Sequence, residues 1–395
     1  MKKKNGKFFI RTFGCAANEA DSQRIAAKLI QKGYKEAKDI KSADLVVINS
    51  CIVRQSAENR VYGLIKNLKK LEVGGRKLEV VLTGCLAGWA LKDKTGKSLR
   101  NLRRKIGEDV QVVLTEKLAG FDTLPLRNFG KLDKDTALIP VSWGCSQYCS
   151  YCIVPYARGL VRHRKAEEIL EEVKEAVRGQ RGRSHIILLG ENVNVWQDKC
   201  KNQNVIPKRR DKMTIQNAKL KSQISNLKSK IKNITTFPQL LVAVAETKGV
   251  ELVEFMSPNP WDFSDELIEV IAKYPNISKT IHLPLQSGDD KILKKMNRPY
   301  TAKNYLNLAL KLKAVSCKLS TDLIVGFPGE TKKALGNTVK LCRKIGFVKA
   351  YIARYSPRPG TASAKLYRDD VPNCEKKRRW QILEKLINKE NPRGS

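Results

Sequence analysis

Residues Trp143–Tyr156, WGCSQYCSYCIVPY, contain three cysteines in the spacing C-x3-C-x2-C. These residues, Cys145, Cys149 and Cys152, form the loop trio. Three thiolates this close on one loop can hold three corners of a metal centre and leave a fourth position open. A structural zinc site normally has four protein ligands, whereas cysteine-bound iron–sulfur clusters tolerate a different ligand at one iron. The spacing favours an iron–sulfur cluster; a zinc loop with His163 as fourth ligand, or a thiol redox pair at Cys149 and Cys152, remains an alternative.

The composition indicates a large basic protein with reduced thiols. The 395 residues contain 76 Lys and Arg against 39 Asp and Glu, a formal net charge of +37. Such a charge indicates a polyanionic partner, most simply nucleic acid, although it can also serve solubility alone. No run of 18 apolar residues occurs, so we expect no membrane span, and the basic N-terminus resembles a first strand more than a signal peptide. Ten cysteines without an export signal indicate metal-binding thiols in the cytoplasm.

Residues 1–125 predict an N-terminal α/β domain with a parallel sheet. Three buried-strand patterns each lead into a cysteine, and Asn18 is the expected N-cap of the first helix. The strand patterns lie at residues 7–12, 43–49 and 77–83, and the cysteines that follow them are Cys15, Cys51 and Cys85, the N-terminal trio. The carboxyl ends of parallel strands meet at one edge, so we expect these thiols at one rim. Chance recurrence of small loop cysteines is the alternative.

Residues 131–370 predict a second domain of β/α units. Six strand patterns alternate with helical ones, which indicates an incomplete β/α barrel with its active site at the carboxyl ends of the strands. The predicted strands cover residues 138–142, 185–189, 252–256, 280–285, 320–325 and 349–352. The loop trio follows the first of them, where this rule places the chemistry.

Two segments stand apart from this pattern. Residues 197–236 hold eleven Lys and Arg against two Asp, with Leu220, Ile224, Leu227 and Ile231 at amphipathic-helix spacing. We interpret this insertion as a mobile surface addition or as a basic helix for RNA. Residues 371–395 predict a basic C-terminal helix.

The motifs resemble those of the radical S-adenosylmethionine (SAM) methylthiotransferase family over roughly residues 7–390, apart from the insertion. Besides the loop-trio segment, the similar stretches are TFGCAANEADS (12–22), NSCIVR (49–54), TGCLAGW (83–89), HLPLQSGDD (282–290), STDLIVGFPGET (320–331) and YSPRPGTASAKL (355–366). The resemblance implies a radical SAM partial (β/α)6 barrel and two 4Fe–4S clusters, one on each trio. The loop-trio cluster would bind SAM at its open iron. Family members usually end in a small β-barrel RNA-binding domain, and no β-rich segment follows the last helix pattern here.

The resemblance also suggests residues around SAM and substrate. In GENVN (190–194), Glu191 stands where the family has Gln, and it could accept a bond from the SAM amino group. The candidates that line this pocket are Tyr151, Gly190, Glu191, Gln286, Ser320, Asp322 and Arg358. Arg158, Arg162 and Arg164 follow the loop trio, where a phosphate or the SAM carboxylate could be engaged. For each residue the alternative is strand-end hydrogen bonding without a ligand.

Among subfamilies, the chain is most similar to the enzymes that convert N6-isopentenyladenosine at position 37 of tRNA to its 2-methylthio form. This similarity implies consumption of two SAM, a base taken out of its stack, the tRNA anticodon stem-loop as partner, flavodoxin or ferredoxin as electron donor, and a cytoplasmic monomer. The alternatives are methylthiolation of threonylcarbamoyladenosine in tRNA or of a ribosomal-protein aspartate, and a non-catalytic iron–sulfur protein that binds RNA.

Overall fold

The computed structural model describes residues 6–53, 55–70, 78–119, 135–178, 184–198 and 234–389. Within them the chain forms a parallel α/β sheet followed by a series of parallel β/α units, which confirms the predicted fold class. Most of the predicted insertion (residues 199–233), including its amphipathic helix pattern, lies outside the described residues. The proposed domain limits at 125 and 370 stay predictions.

The N-terminal sheet has five parallel strands in the described residues, in the order β2-β1-β3-β4-β5. The strands are β1 (Lys7–Phe13), β2 (Lys35–Glu36), β3 (Leu45–Ser50), β4 (Glu79–Gly84) and β5 (Gln111–Val112). The helices are α1 (Ala16–Gln31), α2 (Gln55–Leu68), α3 (Cys85–Lys92), α4 (Lys97–Ile106) and α5 (Thr115–Ala119). Every residue of β3 is buried because helices cover both faces of the sheet. Alternate residues enter two cores: Val46 and Ile48 pack beneath α2 and α3, and Leu45 and Val47 beneath α1.

The first helix starts earlier than the sequence predicted. Cys15 has extended backbone angles and occupies the N-cap of α1, which begins at Ala16. The prediction of Asn18 as N-cap was therefore wrong. Its side chain is fully buried inside the first turn and bonds to Asn49 on β3. The Asn18 side chain thus makes a long-range hydrogen bond to Asn49 and does not cap its own helix.

From residue 135 onward, the described residues form six parallel strands in two sheets of three, and a bridge between Val253 and Ile277 joins β10 to the segment before β11. The parallel strands are β6 (Thr136–Pro140), β9 (His185–Leu189), β10 (Leu252–Phe255), β11 (Thr280–His282), β12 (Lys318–Val325) and β13 (Lys349–Arg354). Two short strands, β7 (Ser142–Trp143) and β8 (Arg162–His163), pair antiparallel. Side chains alternate along β12, so Leu319 and Leu323 enter the helix-covered core and Ser320 and Asp322 face the opposite side.

Helices connect and cover these strands. They are α6 (Val154–Arg158), α7 (Ala166–Arg178), α8 (Phe237–Ala245), α9 (Asp265–Lys273), α10 (Asp290–Lys295), α11 (Ala302–Ala314), α12 (Lys332–Ile345), α13 (Ala362–Leu366) and α14 (Asn373–Glu384), with a 3-10 turn at Val193–Val195 and a π turn at Lys385–Lys389. Gln197 and Thr236, which lie on either side of residues 199–233 in the sequence, form an antiparallel bridge. The ends of that insertion are therefore held together.

The C-terminal helix α14 packs on the barrel. The Trp380 indole N–H donates to the Ile352 carbonyl at 3.0 Å, which fixes the helix against β13. Lys376 and Arg379 are buried and form ion pairs with Asp369 (2.6 Å) and Glu330 (2.7 Å), respectively. Two cations of this predicted basic helix are thus neutralised inside the fold and do not face a polyanion.

Candidate active site

The N-terminal trio lies at the carboxyl ends of three neighbouring strands. The last residues of these strands, Phe13, Ser50 and Gly84, are register partners across β1, β3 and β4. Each member of the trio follows its strand end directly or after one residue. Because the three strands stop at the same level, the structure brings the three thiols to one rim.

The thiols of this trio influence one another. The pKa of Cys85 is raised to about 12, mainly by burial; Arg158 opposes the rise, and the nearby charges of Cys51 and Cys15 contribute to it. The Val53 backbone N–H donates to Cys51 Sγ at 3.3 Å. A bound metal centre would reverse the preference for the neutral thiol, since coordination deprotonates a thiol outright.

A buried hydrogen-bond network joins the start of α1 to β3 beneath the N-terminal trio. Asn49, fully buried on β3, donates to the Asn18 carbonyl at 2.8 Å and to Ser22 Oγ at 2.9 Å, and it accepts from the Asn18 amide at 2.9 Å. Cys15 Sγ lies 3.5 Å from Asn18 Oδ1. Gly84 has φ +87°, and a Cβ there would collide with Asn49 Oδ1. The N-terminal trio therefore lies next to a hydrogen-bonded polar network. That network leaves no room for a side chain at position 84.

The loop trio is fixed from both sides. The antiparallel pair β7–β8 brackets the loop. At its centre, Ser150 Oγ donates to the Lys295 carbonyl at the end of α10, 2.8 Å away. The Cys152 N–H donates to the Cys149 carbonyl at 2.9 Å, which curls the chain around the sulfur atoms.

A half-buried arginine that the sequence reasoning missed supports the loop trio. The pKa values of Cys145 and Cys152 are raised to about 11 and about 12, mainly by burial, and the charge of Cys149 contributes to both rises. Arg298 donates to Cys149 Sγ at 3.4 Å, and its guanidinium lies 4.8 Å from the Trp261 ring centroid. Its position after α10, far from the trio in sequence, gave no signal of this contact.

Each trio offers three thiols, and cysteine-bound iron–sulfur clusters tolerate a different ligand at one iron, so three thiols suit a four-iron cluster with one open position. His163, the fourth ligand of the zinc-loop alternative, accepts at Nδ1 from the Gln197 backbone N–H at 3.0 Å. Which residues of this chain hold a metal centre stays a prediction.

Arg158 connects the two trios. Its Nε donates to Cys85 Sγ at 3.3 Å and lies 3.1 Å from Glu191 Oε1, and its Nη2 donates to Asp21 Oδ2 at 2.8 Å. Glu191 follows β9 in the barrel, and its charge also acts on Cys145. The residues between the trios are thus in direct contact, and both trios border one region of the molecule.

A second buried network joins the N-terminal sheet to the barrel. Glu172 on α7 accepts from Arg24 of α1 at 2.7 Å and from Arg164 at 2.5 Å. Both guanidinium groups also lie over the Trp143 ring, at 5.8 and 5.9 Å from its centroid. The sequence suggested Arg164 as a partner of a phosphate or the SAM carboxylate. In the structure its guanidinium is instead engaged in a buried ion pair.

The predicted pocket residues on β12 meet a histidine that the sequence reasoning overlooked. His282 Nδ1 lies 3.0 Å from Ser320 Oγ, and its Nε2 lies 3.1 Å from Asp322 Oδ2. Gln286, with φ +67°, donates its backbone N–H to the Asp322 carbonyl at 2.8 Å. Tyr351 places its ring against that of His282 and is 53% exposed. This polar wall lies on the barrel strands; its role toward SAM or substrate stays a prediction.

The other predicted pocket residues have varied surroundings. Arg358 forms an ion pair with Glu58 of α2 at 2.8 Å, which ties the late loop to the N-terminal sheet. Tyr151 packs in a small apolar cluster beside Met296. At Gly190 a Cβ would press against Ser142 Oγ, so the close approach of the chain needs glycine there. Whether these residues touch SAM stays a prediction.

Comparison with known proteins agrees with this geometry. A model described as the Radical SAM superfamily matches residues 139–342, and one described as Uncharacterized protein family UPF0004 matches residues 7–103. The tRNA-2-methylthio-N(6)-dimethylallyladenosine synthase of Thermotoga petrophila is 36% identical over 96% of this chain and 81% of its own length. The synthase of the same name from Clostridium botulinum strain Okra is 34% identical over 97% of the chain and 82% of its own length. The chain belongs to the radical SAM methylthiotransferase family.

Solved structures show the same fold at low sequence identity. The radical SAM methyltransferase TsrM from Kitasatospora setae, solved with cobalamin and a [4Fe-4S] cluster, gives a TM-score of 0.59 at 13% identity, covering 92% of this chain and 77% of its own. The cobalamin-dependent radical SAM enzyme OxsB gives a TM-score of 0.51 at 10% identity, covering 98% of this chain and 57% of its own. These likenesses support the fold alone.

Membership of the family fixes the type of chemistry. The protein is a radical SAM enzyme of the methylthiotransferase type, and SAM and 4Fe–4S clusters are its cofactors. Among the described helices, none combines the length and the apolar character required to cross a lipid bilayer.

Proposed function

We propose that this enzyme replaces the hydrogen on carbon 2 of N6-dimethylallyladenosine (isopentenyladenosine) at position 37 of tRNA with a methylthio group, consuming two SAM. The observation that carries the proposal is the similarity to the Thermotoga petrophila synthase at 36% identity over 96% of the chain. The contact between Arg158 and Cys85 supports it, because it places the N-terminal trio beside the barrel in which the base would react.

The two trios would hold the two clusters. Cys145, Cys149 and Cys152 would bind the SAM-cleaving cluster, and the N-terminal trio would bind the cluster that presents sulfur. When bound, the clusters and SAM supply the electron, the radical that removes hydrogen and the methylated sulfur. Arg298 and Arg158 place positive charge beside one sulfur of each trio, where it favours the anionic, metal-bound form.

The remaining residues of the region would orient SAM and keep water out. Among the described residues Glu191 Oε2 is buried and has no hydrogen-bond partner, so it is available to accept from the SAM ammonium. Ala20 of α1 packs on Leu138 and Leu189 of the barrel, which seals one side of the region with apolar contacts. Such exclusion of water protects a reactive intermediate.

The RNA partner in this proposal is the anticodon stem-loop of tRNA. The protein's net charge of +37 would attract its phosphates. Helix α4 contributes exposed Arg100, Arg104 and Lys105 to this positive surface. Both trios come from one chain, so the enzyme needs no second copy, and we place its action as a monomer in the cytoplasm with reduced flavodoxin or ferredoxin as electron donor.

An anaerobic assay of the reconstituted protein tests the proposal. tRNA carrying N6-dimethylallyladenosine is incubated with SAM and reductant, and its nucleosides are analysed by mass spectrometry. We expect the 2-methylthio nucleoside together with 5′-deoxyadenosine. tRNA carrying threonylcarbamoyladenosine and the ribosomal-protein substrate are assayed in parallel.

The results separate the alternatives. Product only from one of the parallel substrates would contradict the proposed substrate and keep the chemistry. Protein that carries both clusters could also form no 5′-deoxyadenosine with any substrate. That result would contradict the assignment of catalytic activity and favour a non-catalytic iron–sulfur protein.

A further inference from the structure

Arg158 holds an unusual set of partners. It ends the short helix α6, directly after the loop trio, and its side chain is 11% exposed. It contacts one thiol, Cys85 of the N-terminal trio, and two carboxylates, Asp21 and Glu191. The guanidinium therefore sits where α1, α3 and the loop after β9 converge.

The two carboxylates hold the guanidinium from opposite parts of the molecule. Asp21, 4% exposed, belongs to α1 of the N-terminal sheet, and Glu191, 13% exposed, follows a barrel strand. An arginine guanidinium stays protonated at any physiological pH, and the two carboxylates beside it favour that charge. Arg158 is therefore a cation beside the Cys85 sulfur.

A cation that donates a hydrogen bond to a ligand sulfur has a defined effect on an iron–sulfur cluster. It stabilises the more negative, reduced state, and hydrogen bonds to sulfur and net charge are among the factors that set cluster potentials. Removal of a negative charge from the same neighbourhood acts in the same direction, since it also favours the reduced state.

We propose that Arg158 is a positioning residue that raises the reduction potential of the cluster on the N-terminal trio, and that Glu191 moderates this effect while fixing the trio against the barrel. The inference rests on the proposed function, which assigns a cluster to Cys15, Cys51 and Cys85. The inference adds one physical connection between the two sites, the ion pair between Arg158 and Glu191.

The test isolates the N-terminal cluster in the full chain. The background variant Cys145→Ala/Cys149→Ala/Cys152→Ala removes the loop trio, and Arg158→Gln, Arg158→Lys and Glu191→Gln are added to it singly. Iron content is measured after anaerobic reconstitution, and the potential is measured by a redox titration followed by electron paramagnetic resonance.

Opposite shifts are expected from the two neutralising variants. Arg158→Gln moves the potential to a more negative value because it removes a cation, and Glu191→Gln moves it to a more positive value because it removes an anion. Arg158→Lys retains the charge and shifts the potential less than Arg158→Gln. All variants keep about four irons, from one four-iron cluster.

Arg378→Gln is the matched control. Arg378 is an arginine of α14, 51% exposed and paired with Glu375 at 2.7 Å. We expect its loss to leave the potential within the scatter of the background variant.

Two results would overturn the inference. An unchanged potential in Arg158→Gln with iron content preserved would refute the link and leave the proposed function intact. Absence of iron from the background variant itself would refute the cluster on the N-terminal trio, and the link with it. A purely structural role predicts lost iron in both neutralising variants and no opposite shifts.

Discussion

The two trios are assembled by different routes. The loop trio lies within eight residues of one segment, anchored by Ser150 to the end of α10. The N-terminal trio is collected from three strand ends over seventy-one positions of sequence, and its geometry depends on the register of β1, β3 and β4. A local site tolerates change elsewhere in the fold, whereas an assembled site depends on the whole sheet beneath it.

The largest expected effect separates the chemistry of the two sites. Cys149→Ala should abolish 5′-deoxyadenosine formation, because it removes a ligand of the SAM-cleaving cluster. Cys85→Ala should retain SAM cleavage and lose the methylthio product. Both are measured in the anaerobic tRNA assay, with iron content as a second readout. Persistent product in Cys85→Ala would show that the assembled trio is not needed, and the comparison would fail.

The next effect concerns the contact that joins the two regions. Glu172→Ala leaves two buried guanidinium groups, Arg24 and Arg164, without their carboxylate. Breaking a buried pair in this way costs about 3–5 kcal/mol. The free energy of unfolding is measured in denaturant. The control Lys311→Ala removes an ion pair to Asp265 whose side chains are 56% and 71% exposed, and it should cost about 0–1 kcal/mol. Equal losses in both variants would contradict a junction held by buried charge.

Substitution of one glycine beside each trio should give a smaller effect that also distinguishes the two sites. Gly84 (φ +87°) and Gly144 (φ +75°) both lie against backbone or side-chain oxygens that a Cβ would strike. Alanine in this left-handed region costs about 1–3 kcal/mol, before the collision is counted. Gly84→Ala should lower iron at the N-terminal trio and spare SAM cleavage. Gly144→Ala should lower SAM cleavage first. The reverse pattern, in cluster-resolved iron and 5′-deoxyadenosine assays, would contradict the assignment of each glycine to its site.

The smallest effect lies outside both sites. Gly63 is exposed inside α2, and a Cβ there meets no atom of the described residues within 4 Å outside the backbone of its own helix. Gly63→Ala should stabilise the protein by about 0.5–1 kcal/mol, because alanine loses less backbone entropy in a helix. Thermal unfolding measures the gain, and both iron content and SAM cleavage should be unchanged. A loss of activity would show that α2 is coupled to the sites more closely than its contacts indicate.

Much of the candidate site followed from local pattern. The C-x3-C-x2-C spacing and the strand-then-cysteine rhythm were enough to predict both trios and the α/β fold, because period and spacing are properties of contiguous sequence. Asn18 was misjudged as a helix cap because its partner, Asn49, lies on another strand. Arg298 and His282 were missed for the same reason: their partners, Cys149 and Asp322, are 149 and 40 positions away.

The sequence by itself determined the fold class, and it predicted the two trios as the residues that carry the chemistry. Only the tertiary structure decided how the charged residues are used: Arg164 supports a buried carboxylate, Arg358 ties a loop to α2, and Arg158 reaches from the loop trio to Cys85. The physical reason is that a long cationic side chain has no preferred partner in sequence. Its role is set by whichever anions burial brings within a few ångströms, and burial is a property of the folded chain.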